Sequence, residues 1–247
     1  MAQKIAFITG GNRGIGYQTA LDLKDSGVKV VIGSRDLQQG EEAVKKLRAA
    51  GADTDVLKFD ITKSDDYKAA YDYFDSKYGR LDILINNAGI AGGVFPGTGP
   101  EHSAGEVPVD LLHNVFETNF FAPVALTKTL LPLLRKSPAG RIVNLSSILG
   151  SLTMHADPQS PIYDAKSFAY DASKTALNAF TIHLAYELRG TKIKVNSAHP
   201  GWVKTDMGGE HAPMELSDGA KTSIALATLP EDGPTGSFLH QGKPLPW

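Results

Sequence analysis

Short apolar segments alternate with longer helical patterns along this chain of 247 residues, and this alternation constrains its fold more than any other feature. The segments are rich in β-branched residues and are mostly continuous apolar runs, which is typical of parallel strands covered on both faces. We predict strands at residues 4–9, 29–33, 54–58, 82–86, 141–145 and 192–197. Between two of them, Tyr67, Tyr71, Phe74 and Tyr78 share one helix face. This order of elements predicts a single α/β domain spanning residues 1–247, with a doubly wound parallel sheet.

Three irregular segments interrupt the alternation, at residues 90–108, 149–168 and 200–216. Each follows a predicted strand, so each is expected at the carboxyl edge of the sheet. Ligands bind at that edge in open α/β sheets. Long loops in compact domains are usually functional or disordered. The sequence therefore predicts a ligand site formed by these segments.

A glycine-rich turn connects the first predicted strand to a helix, and it runs T-G-G-N-R-G-I-G from Thr9 to Gly16. Glycine permits a tight turn and lets backbone N–H groups approach a pyrophosphate at a helix N-terminus. The spacing differs from the G-x-G-x-x-G of other dinucleotide folds. A glycine-rich turn without a ligand is the alternative. In its strand–turn–helix context, the motif favours a dinucleotide site.

The end of the second predicted strand indicates which dinucleotide is bound. Enzymes that use NAD place an acid there, which holds the ribose 2′-OH. Here the strand ends in Ser34 and Arg35. Arg35 can pair with a 2′-phosphate, and Arg13 of the glycine turn could reach the same group. Asp36 is counter-evidence unless it caps the following helix, which we favour. These residues favour NADP(H).

Tyr170 and Lys174 are four residues apart in the helical segment Y-D-A-S-K, so their side chains share one helix face. A carbonyl that accepts hydride also needs a proton donor. A free phenol has a pKa of about 10, and a nearby ammonium should lower this pKa toward neutrality. Tyr163 has Ser167 four residues later, so it lacks that partner. Ser147, after the fifth predicted strand, could hydrogen-bond the carbonyl and the phenol, or be an ordinary loop serine.

Composition excludes several other functions. The net charge is −2, and no basic stripe suggests a nucleic-acid or membrane partner. The chain has no cysteine, and its seven histidines show no metal-binding spacing, so we expect no metal. No apolar run approaches the length of a membrane span, and no signal peptide is evident. These features favour a cytoplasmic location.

The motifs occur in the order of a known family. T-G-G-N-R-G-I-G, N-N-A-G at residues 86–89, the serine after the fifth strand, Y-D-A-S-K and H-P-G-W-V-K-T-D-M at residues 199–207 resemble the short-chain dehydrogenase/reductase family over nearly the whole chain. The resemblance implies a Rossmann fold and four catalytic residues, which are Asn119, Ser147, Tyr170 and Lys174. It implies that the asparagine holds a water in a proton relay to the lysine, and that the lysine also binds the nicotinamide ribose. Asn119 as a helix-interior bend and Asp60 as a cap before Thr62 remain alternatives.

The motifs and the resemblance together assign a set of residues to the cofactor. They are Gly10, Asn12, Arg13, Gly14, Ile15, Gly16, Ser34, Arg35, Asp60, Ile61, Asn87, Ala88, Gly89, Tyr170, Lys174, Pro200, Gly201, Val203 and Thr205.

Within the family the chain is most similar to the monomeric NADPH-dependent carbonyl reductases, in its P-G-W-V-K-T-D-M run, its final tryptophan and its long segment before Tyr170. Phe95, Leu149, Trp202 and Met207, with Leu152 and Met154, suggest an apolar substrate pocket, although such residues also pack loops onto sheets. We expect reduction of ketones and aldehydes to alcohols. A broad aldehyde or quinone reductase and a non-catalytic NADP(H)-sensing module are alternatives.

The resemblance also bears on assembly. In this family, the helices around Asn119 and Tyr170 usually form dimer surfaces. The long segment at residues 149–168 lies beside the second of these helices and could cover it. We therefore expect a monomer.

Overall fold

One sheet of eight strands runs through the described residues, which are 3–93 and 102–247 of this computed structural model. The strands are β1 (Ile5–Thr9), β2 (Lys29–Ser34), β3 (Thr54–Lys58), β4 (Ile83–Asn86), β5 (Arg141–Leu145), β6 (Lys194–Ala198), β7 (Ser237–His240) and β8 (Lys243–Pro244). Their spatial order is β3-β2-β1-β4-β5-β6-β7-β8, and every neighbouring pair is parallel except β7 with β8. The order 3-2-1-4-5-6 is that of the Rossmann fold, so the predicted fold class is confirmed.

Helices cover both faces of the sheet. They are α1 (Gly14–Asp22), α2 (Leu37–Ala49), α3 (Ser64–Tyr78), α4 (Val109–Phe116), α5 (Ala122–Arg135), α6 (Leu152–Ala156), α7 (Phe168–Glu187) and α8 (Leu216–Ala227). Side chains of α3, α5 and α7 pack on one face of the sheet, and those of α1, α2 and α8 pack on the other. Both faces of the strands are therefore buried, which explains why the strands read as continuous apolar runs.

The face under α3 is built on aromatic contacts. Phe7 of β1 lies 5.2 Å, centroid to centroid, from both Phe59 and Phe74. Tyr67 and Phe74 are buried, while Tyr71 and Tyr78 are partly buried against the same cluster. The predicted apolar face of this helix is confirmed. It fixes α3 beside the strand that precedes the glycine turn.

The sequence prediction missed the edge of the sheet. The strand predicted at residues 192–197 begins instead at Lys194, because the carbonyl of Lys192 accepts a hydrogen bond from Arg141 Nη1 (3.1 Å). Strands β7 and β8 were not predicted. They are four and two residues long, with Phe238 the one buried residue of β7 and both residues of β8 exposed, so they lack a hydrophobic pattern. No helix of the described residues is both long and apolar enough to cross a bilayer.

A buried arginine lies at the amino end of β5 and joins the segments around it. Arg141 begins β5 and is 2% exposed. Its guanidinium donates hydrogen bonds to the carbonyls of Leu229 (2.6 and 3.0 Å), Pro230 (3.1 Å), Gly140 (2.8 Å) and Lys192 (3.1 Å). One side chain thus joins β5, the residues after α8 and the approach to β6.

Arg141→Met should lower the free energy of unfolding by about 3 kcal/mol or more, because bonds from a charged donor are lost and buried carbonyls are left without partners. Arg135→Met is the matched control. Arg135 is half exposed and its nearest acid, Glu187, is 4.0 Å away, so we expect a loss below about 0.5 kcal/mol. Urea unfolding of both variants checks this prediction. Equal losses would show that the buried hydrogen bonds contribute little.

Candidate active site

A cleft of about 1230 Å³ opens at the carboxyl edge of the sheet, between the segments that follow β1, β4, β5 and β6. Most of the predicted cofactor residues line it: Gly10, Asn12, Arg13, Gly14, Ile15, Arg35, Asp60, Ile61, Asn87, Ala88, Gly89, Tyr170, Lys174, Pro200, Gly201, Val203 and Thr205. Ser147, Leu149, Trp202 and Met207 line it as well. Gly16, Ser34 and Asn119 are not among the lining residues. Phe95 lies outside the described residues.

The glycine turn is bound to the end of β4 by hydrogen bonds. Thr9 Oγ1 accepts from the backbone N–H groups of Asn87 and Ala88 (3.0 Å each). Asn87 Nδ2 donates to the carbonyls of Thr9 (2.8 Å) and Gly10 (3.2 Å). A Cβ on Gly16 would lie 2.5 Å from Asn87 Nδ2, so this glycine permits close packing instead of lining the cleft. The T-G-G-N-R-G-I-G and N-N-A-G motifs therefore form one structural unit.

The basic end of the cleft lies beyond β2. Arg35 is exposed and lines the cleft, whereas Ser34 is buried and donates from Oγ to the carbonyl of Asp36 (2.6 Å). Asp36 caps α2 by accepting from Gln39 N (3.1 Å), which confirms its interpretation as a capping residue. Arg13 pairs with Asp206 (2.6 Å), and both side chains are largely exposed. An exposed pair of this kind is worth about 1 kcal/mol or less, so Arg13 can exchange partners.

Asp60 and Ile61 line the cleft where an adenine was expected. Asp60 Oδ1 accepts from the backbone N–H (3.0 Å) and the hydroxyl (2.8 Å) of Thr62. The carboxylate therefore does cap the turn before Thr62, and it lines the cleft while doing so.

Tyr170 and Lys174 lie one turn apart on α7, and both are buried at the floor of the cleft (8% and 4% exposed). Lys174 Nζ lies 5.5 Å from the centroid of the Tyr170 ring. The same Nζ donates to the carbonyl of Leu145, the last residue of β5, at 2.8 Å. This bond holds the start of α7 against the end of β5.

Burial changes the ionisation of both groups. Burial raises the pKa of Tyr170 to about 12. The charge of Asp171 also raises this pKa, whereas the hydrogen bond with Ser147 lowers it. Burial also lowers the pKa of Lys174 to about 8. The expectation that Lys174 brings the pKa of the phenol toward neutrality is therefore wrong for this structure, because burial, the largest influence on the phenol, raises its pKa instead.

Ser147 begins a turn of 3₁₀-helix at Ile148–Gly150, two residues beyond β5. It is buried, hydrogen-bonded to Tyr170, and its Oγ accepts from Leu149 N (3.2 Å). The serine is therefore fixed against the tyrosine and is not a freely solvated loop residue.

Asn119 lies in a π-helical turn, Glu117–Phe121, between α4 and α5. It is 1% exposed, and its amide exchanges hydrogen bonds of 2.9 Å with the N–H and carbonyl of Ile90 and donates to Ser173 Oγ (3.0 Å). The alternative of a helix-interior bend therefore describes its backbone. Its side chain joins the segment after β4 to α7.

The sequence of this chain matches a known protein family. Residues 4–216 match the family model described as short chain dehydrogenase. The chain belongs to the short-chain dehydrogenase family. It is 34% identical to carbonyl reductase [NADPH] 1 of Mus musculus, covering 100% of this chain and 99% of that protein. It is 32% identical to carbonyl reductase [NADPH] 1 of Homo sapiens, covering 98% of each.

Solved structures of carbonyl reductases have the same fold. The carbonyl reductase Sniffer of D. melanogaster superposes with a TM-score of 0.83 at 31% identity, covering 100% of both chains. The NADPH-bound carbonyl reductase from chicken fatty liver also superposes with a TM-score of 0.83, at 27% identity over 100% of both chains.

The apolar wall of this short-chain dehydrogenase lies beside Tyr170. Leu149 and Ile162 pack with the tyrosine, and Met154 and Met207 pack against that cluster. Trp202 is 43% exposed and donates from Nε1 to the carbonyl of Gly208 (2.8 Å). Leu152 is 63% exposed and does not line the cleft. Most of the predicted pocket residues that the structure describes thus face one space.

Sequence reasoning missed other lining residues. They include Gln39, Ile90, Asn114, Thr118, Ile148, Pro161, Ile162 and Ala165. Three of these residues, Pro161, Ile162 and Ala165, lie within the long irregular segment at residues 149–168. No hydrophobic period identifies which of its residues face inward.

Tyr163 is separate from this site. It is 39% exposed, does not line the cleft, and carries Lys166 Nζ 4.9 Å above its ring. Tyr163 therefore does have a lysine neighbour, three residues later, contrary to the expectation that it has no such partner. That contact lies outside the cleft. In the described part of the chain, no group of three or more acidic and histidine side chains could hold a metal.

A buried acid follows the tyrosine. Asp171 Oδ2 accepts from Ser167 N (2.8 Å) and lies 3.4 Å from His155 Nε2. Burial raises the pKa of Asp171 to about 7, although the Ser167 bond and the charge of Lys166 lower it. This carboxyl connects the segment before α7 to the helix that carries Tyr170.

Asp171→Asn should change how stability depends on pH. Ionising Asp171 in the folded state costs free energy, and that cost is absent below its ordinary pKa of 3.8 and complete above about pH 7. The stability of the variant relative to the native protein should therefore rise between pH 4 and pH 8, by up to about 4 kcal/mol. Thermal or urea unfolding at several pH values measures this difference.

A constant offset is expected as well, because Oδ1 has no hydrogen-bond partner among the described residues and an amide there would bury a donor. The pH slope is therefore the readout. Asp164→Asn, at an exposed position, is the control for the same substitution at the surface. A flat difference for Asp171→Asn would contradict the raised pKa.

Proposed function

We propose that this chain is an NADPH-dependent carbonyl reductase in which Tyr170 donates a proton to the carbonyl oxygen. The observation that carries the proposal is the buried contact of Tyr170 with Ser147 at the floor of a cleft that also holds Lys174. The relatives named carbonyl reductase [NADPH] 1 support it over nearly the full chain.

The glycine turn fits a dinucleotide. Gly10 and Gly14 have φ values of +64° and +57°, and a Cβ on Gly14 would meet only Thr205 Cγ2, at 3.8 Å. A side chain longer than a methyl group at residue 14 would meet Thr205, so the glycine keeps this part of the turn accessible from the cleft. No side chain caps α1 at Arg13, which leaves the N–H groups of its first turn available to an anion. Bound NADPH supplies the hydride.

The preference for NADPH over NADH rests on Arg35. It lines the basic end of the cleft, and Asp36, its neighbour in the sequence, is engaged in capping α2. Arg13 can add a second contact after leaving Asp206. A guanidinium matches the bidentate geometry of a phosphate.

Arg35→Asp should narrow or reverse this preference. Charge-assisted contacts of about 1.5–3 kcal/mol correspond to roughly 10- to 150-fold in kcat/KM. The measurement is kcat/KM for both cofactors with one ketone. Lys46→Asp makes the same charge change on an exposed face of α2 and should leave the ratio nearly unchanged. An unaltered ratio in Arg35→Asp would remove Arg35 from cofactor selection.

The residues divide the chemistry between them. Ser147 positions the carbonyl oxygen beside the Tyr170 hydroxyl, so that negative charge develops next to a donor. A phenol with a pKa of about 12 is still much more acidic than the alcohol that forms, so proton transfer to the developing alkoxide is favourable. Lys174, with its pKa lowered to about 8, can return a proton to the phenolate.

Tyr170→Phe should lower turnover by the ~10²–10⁴-fold that general acid catalysis contributes, because it removes the proton donor and keeps the ring. NADPH binding, measured by fluorescence titration, should survive. Turnover is followed as the loss of NADPH absorbance with ketones and aldehydes.

Tyr163→Phe is the matched control, since that tyrosine is outside the cleft. Lys174→Ala should reduce both turnover and cofactor affinity. If Tyr170→Phe turned over normally while Tyr163→Phe did not, the proton donor would be misassigned.

The wall next to Tyr170 favours an uncharged apolar carbonyl compound as substrate. Leu149, Ile162 and Met207 supply its surface, and none of them can compensate a buried charge. Bulky apolar groups of the substrate would lie against these three side chains.

The monomeric state remains a prediction. The segment at residues 149–168 contacts the first half of α7, while Ile182 (40%) and Tyr186 (66%), farther along that helix, stay exposed. Light scattering at the working concentration would decide it.

A further inference from the structure

The turn that follows Ser147 is held from two sides. On one side, the carbonyl of Gly150 accepts from Thr175 Oγ1 (3.1 Å) and Asn178 Nδ2 (3.3 Å) of α7. A Cβ on Gly150 would lie 2.9 Å from the carbonyl carbon of Lys174, so turn and helix are in close contact. The end of the turn is therefore fixed to the helix that carries Tyr170 and Lys174.

The other side is held by a histidine. The backbone N–H of Ile148, the residue after Ser147, donates to His199 Nδ1 (3.2 Å). His199 directly follows β6 and is 8% exposed. No other side-chain acceptor for the Ile148 N–H is found among the residues that the structure describes.

The histidine is itself held rigidly. Its backbone N–H donates to the carbonyl of Leu239 (2.8 Å), and its carbonyl accepts from His240 Nδ1 (2.9 Å). The two imidazole rings lie 4.9 Å apart. Strands β6 and β7 thus fix the backbone from which the ring of His199 projects.

We propose that His199 is a positioning residue that holds the Ser147 hydroxyl toward Tyr170 by accepting a hydrogen bond from Ile148 N. This inference rests on the proposed function, because it assigns a role to a residue that acts through the serine. Ser147 has a rotatable side chain on a turn, and small displacements of reacting groups reduce rates strongly. A fixed turn therefore matters for turnover.

The protonation state agrees with this role. Only an unprotonated Nδ1 can accept from Ile148 N. Burial, with the neighbouring His240, lowers the pKa of His199 to about 3. The ring therefore remains an acceptor throughout the neutral range.

Two substitutions at residue 199 distinguish the role of the side chain as a hydrogen-bond acceptor from its role in packing. His199→Leu removes the acceptor, and we expect kcat to fall about 10- to 100-fold with the Kd for NADPH changed less than about threefold. His199→Asn places an oxygen on the same Cγ, so it should recover most of the lost kcat. His183→Leu, at an exposed histidine of α7, is the control for histidine loss.

A double-mutant cycle with Ser147→Ala gives the decisive readout. If His199 acts through Ser147, His199→Leu should cost almost nothing further once the serine hydroxyl is gone. Equal costs of His199→Leu with and without the hydroxyl would overturn the proposal, as would a failure of His199→Asn to recover kcat. If His199→Leu does not fold by circular dichroism, His199→Ala takes its place in the cycle.

The cycle also distinguishes the two proposals. If Ser147→Ala and Tyr170→Phe both reduced carbonyls normally, the proposed function would fail. If those two variants lost turnover while His199→Leu kept it, only the role of His199 would fail.

Discussion

The hydrogen bond from Lys174 Nζ to the carbonyl of Leu145 is the interaction on which the geometry of the cleft depends. A buried ammonium needs a partner, because desolvation disfavours its charge. Here the partner is the last carbonyl of β5, where the strand ladder ends. The bond therefore fixes α7 against the sheet edge, and it places Tyr170, one turn earlier, beside the serine that follows the same strand.

Beneath that bond, polar side chains connect the central strands. Asn86 of β4 donates to Asn144 of β5 (2.8 Å), and Asn144 donates to Thr181 of α7 (2.8 Å). Thr181 in turn shares a hydrogen bond with Ser197 of β6 (2.8 Å). Buried polar groups are costly unless paired, so a network like this favours one register of the strands and one position of α7. The loops that line the cleft start from strand ends whose relative heights are fixed in this way.

Much of this could be predicted from the sequence, for a physical reason. Backbone geometry depends on local patterns, so strands β1 to β6, the glycine turn and the i, i+4 pair of Tyr170 and Lys174 were predictable. What failed depended on the surroundings of a group. The pKa of Tyr170 follows its burial more than its nearest charge, and the polar contacts of Asn119 and His199 join segments far apart in sequence. Neither spacing nor composition carries that information.

Three ionisable side chains in the first turns of α7 lower the stability of the fold. Tyr170, Asp171 and Lys174 are all buried. Burial raises the pKa of Tyr170 and Asp171 and lowers that of Lys174, so it favours the neutral form of each group. Three neighbouring ionisable groups out of water are a poor choice for stability, and such clusters are typical of functional sites. The apolar clusters on both faces of the sheet offset this cost, since they bury the strands and helices to which these side chains belong. The same burial that weakens the fold here keeps water from Tyr170, so the low-dielectric floor of the cleft is best explained by the proton transfer that we propose for this tyrosine.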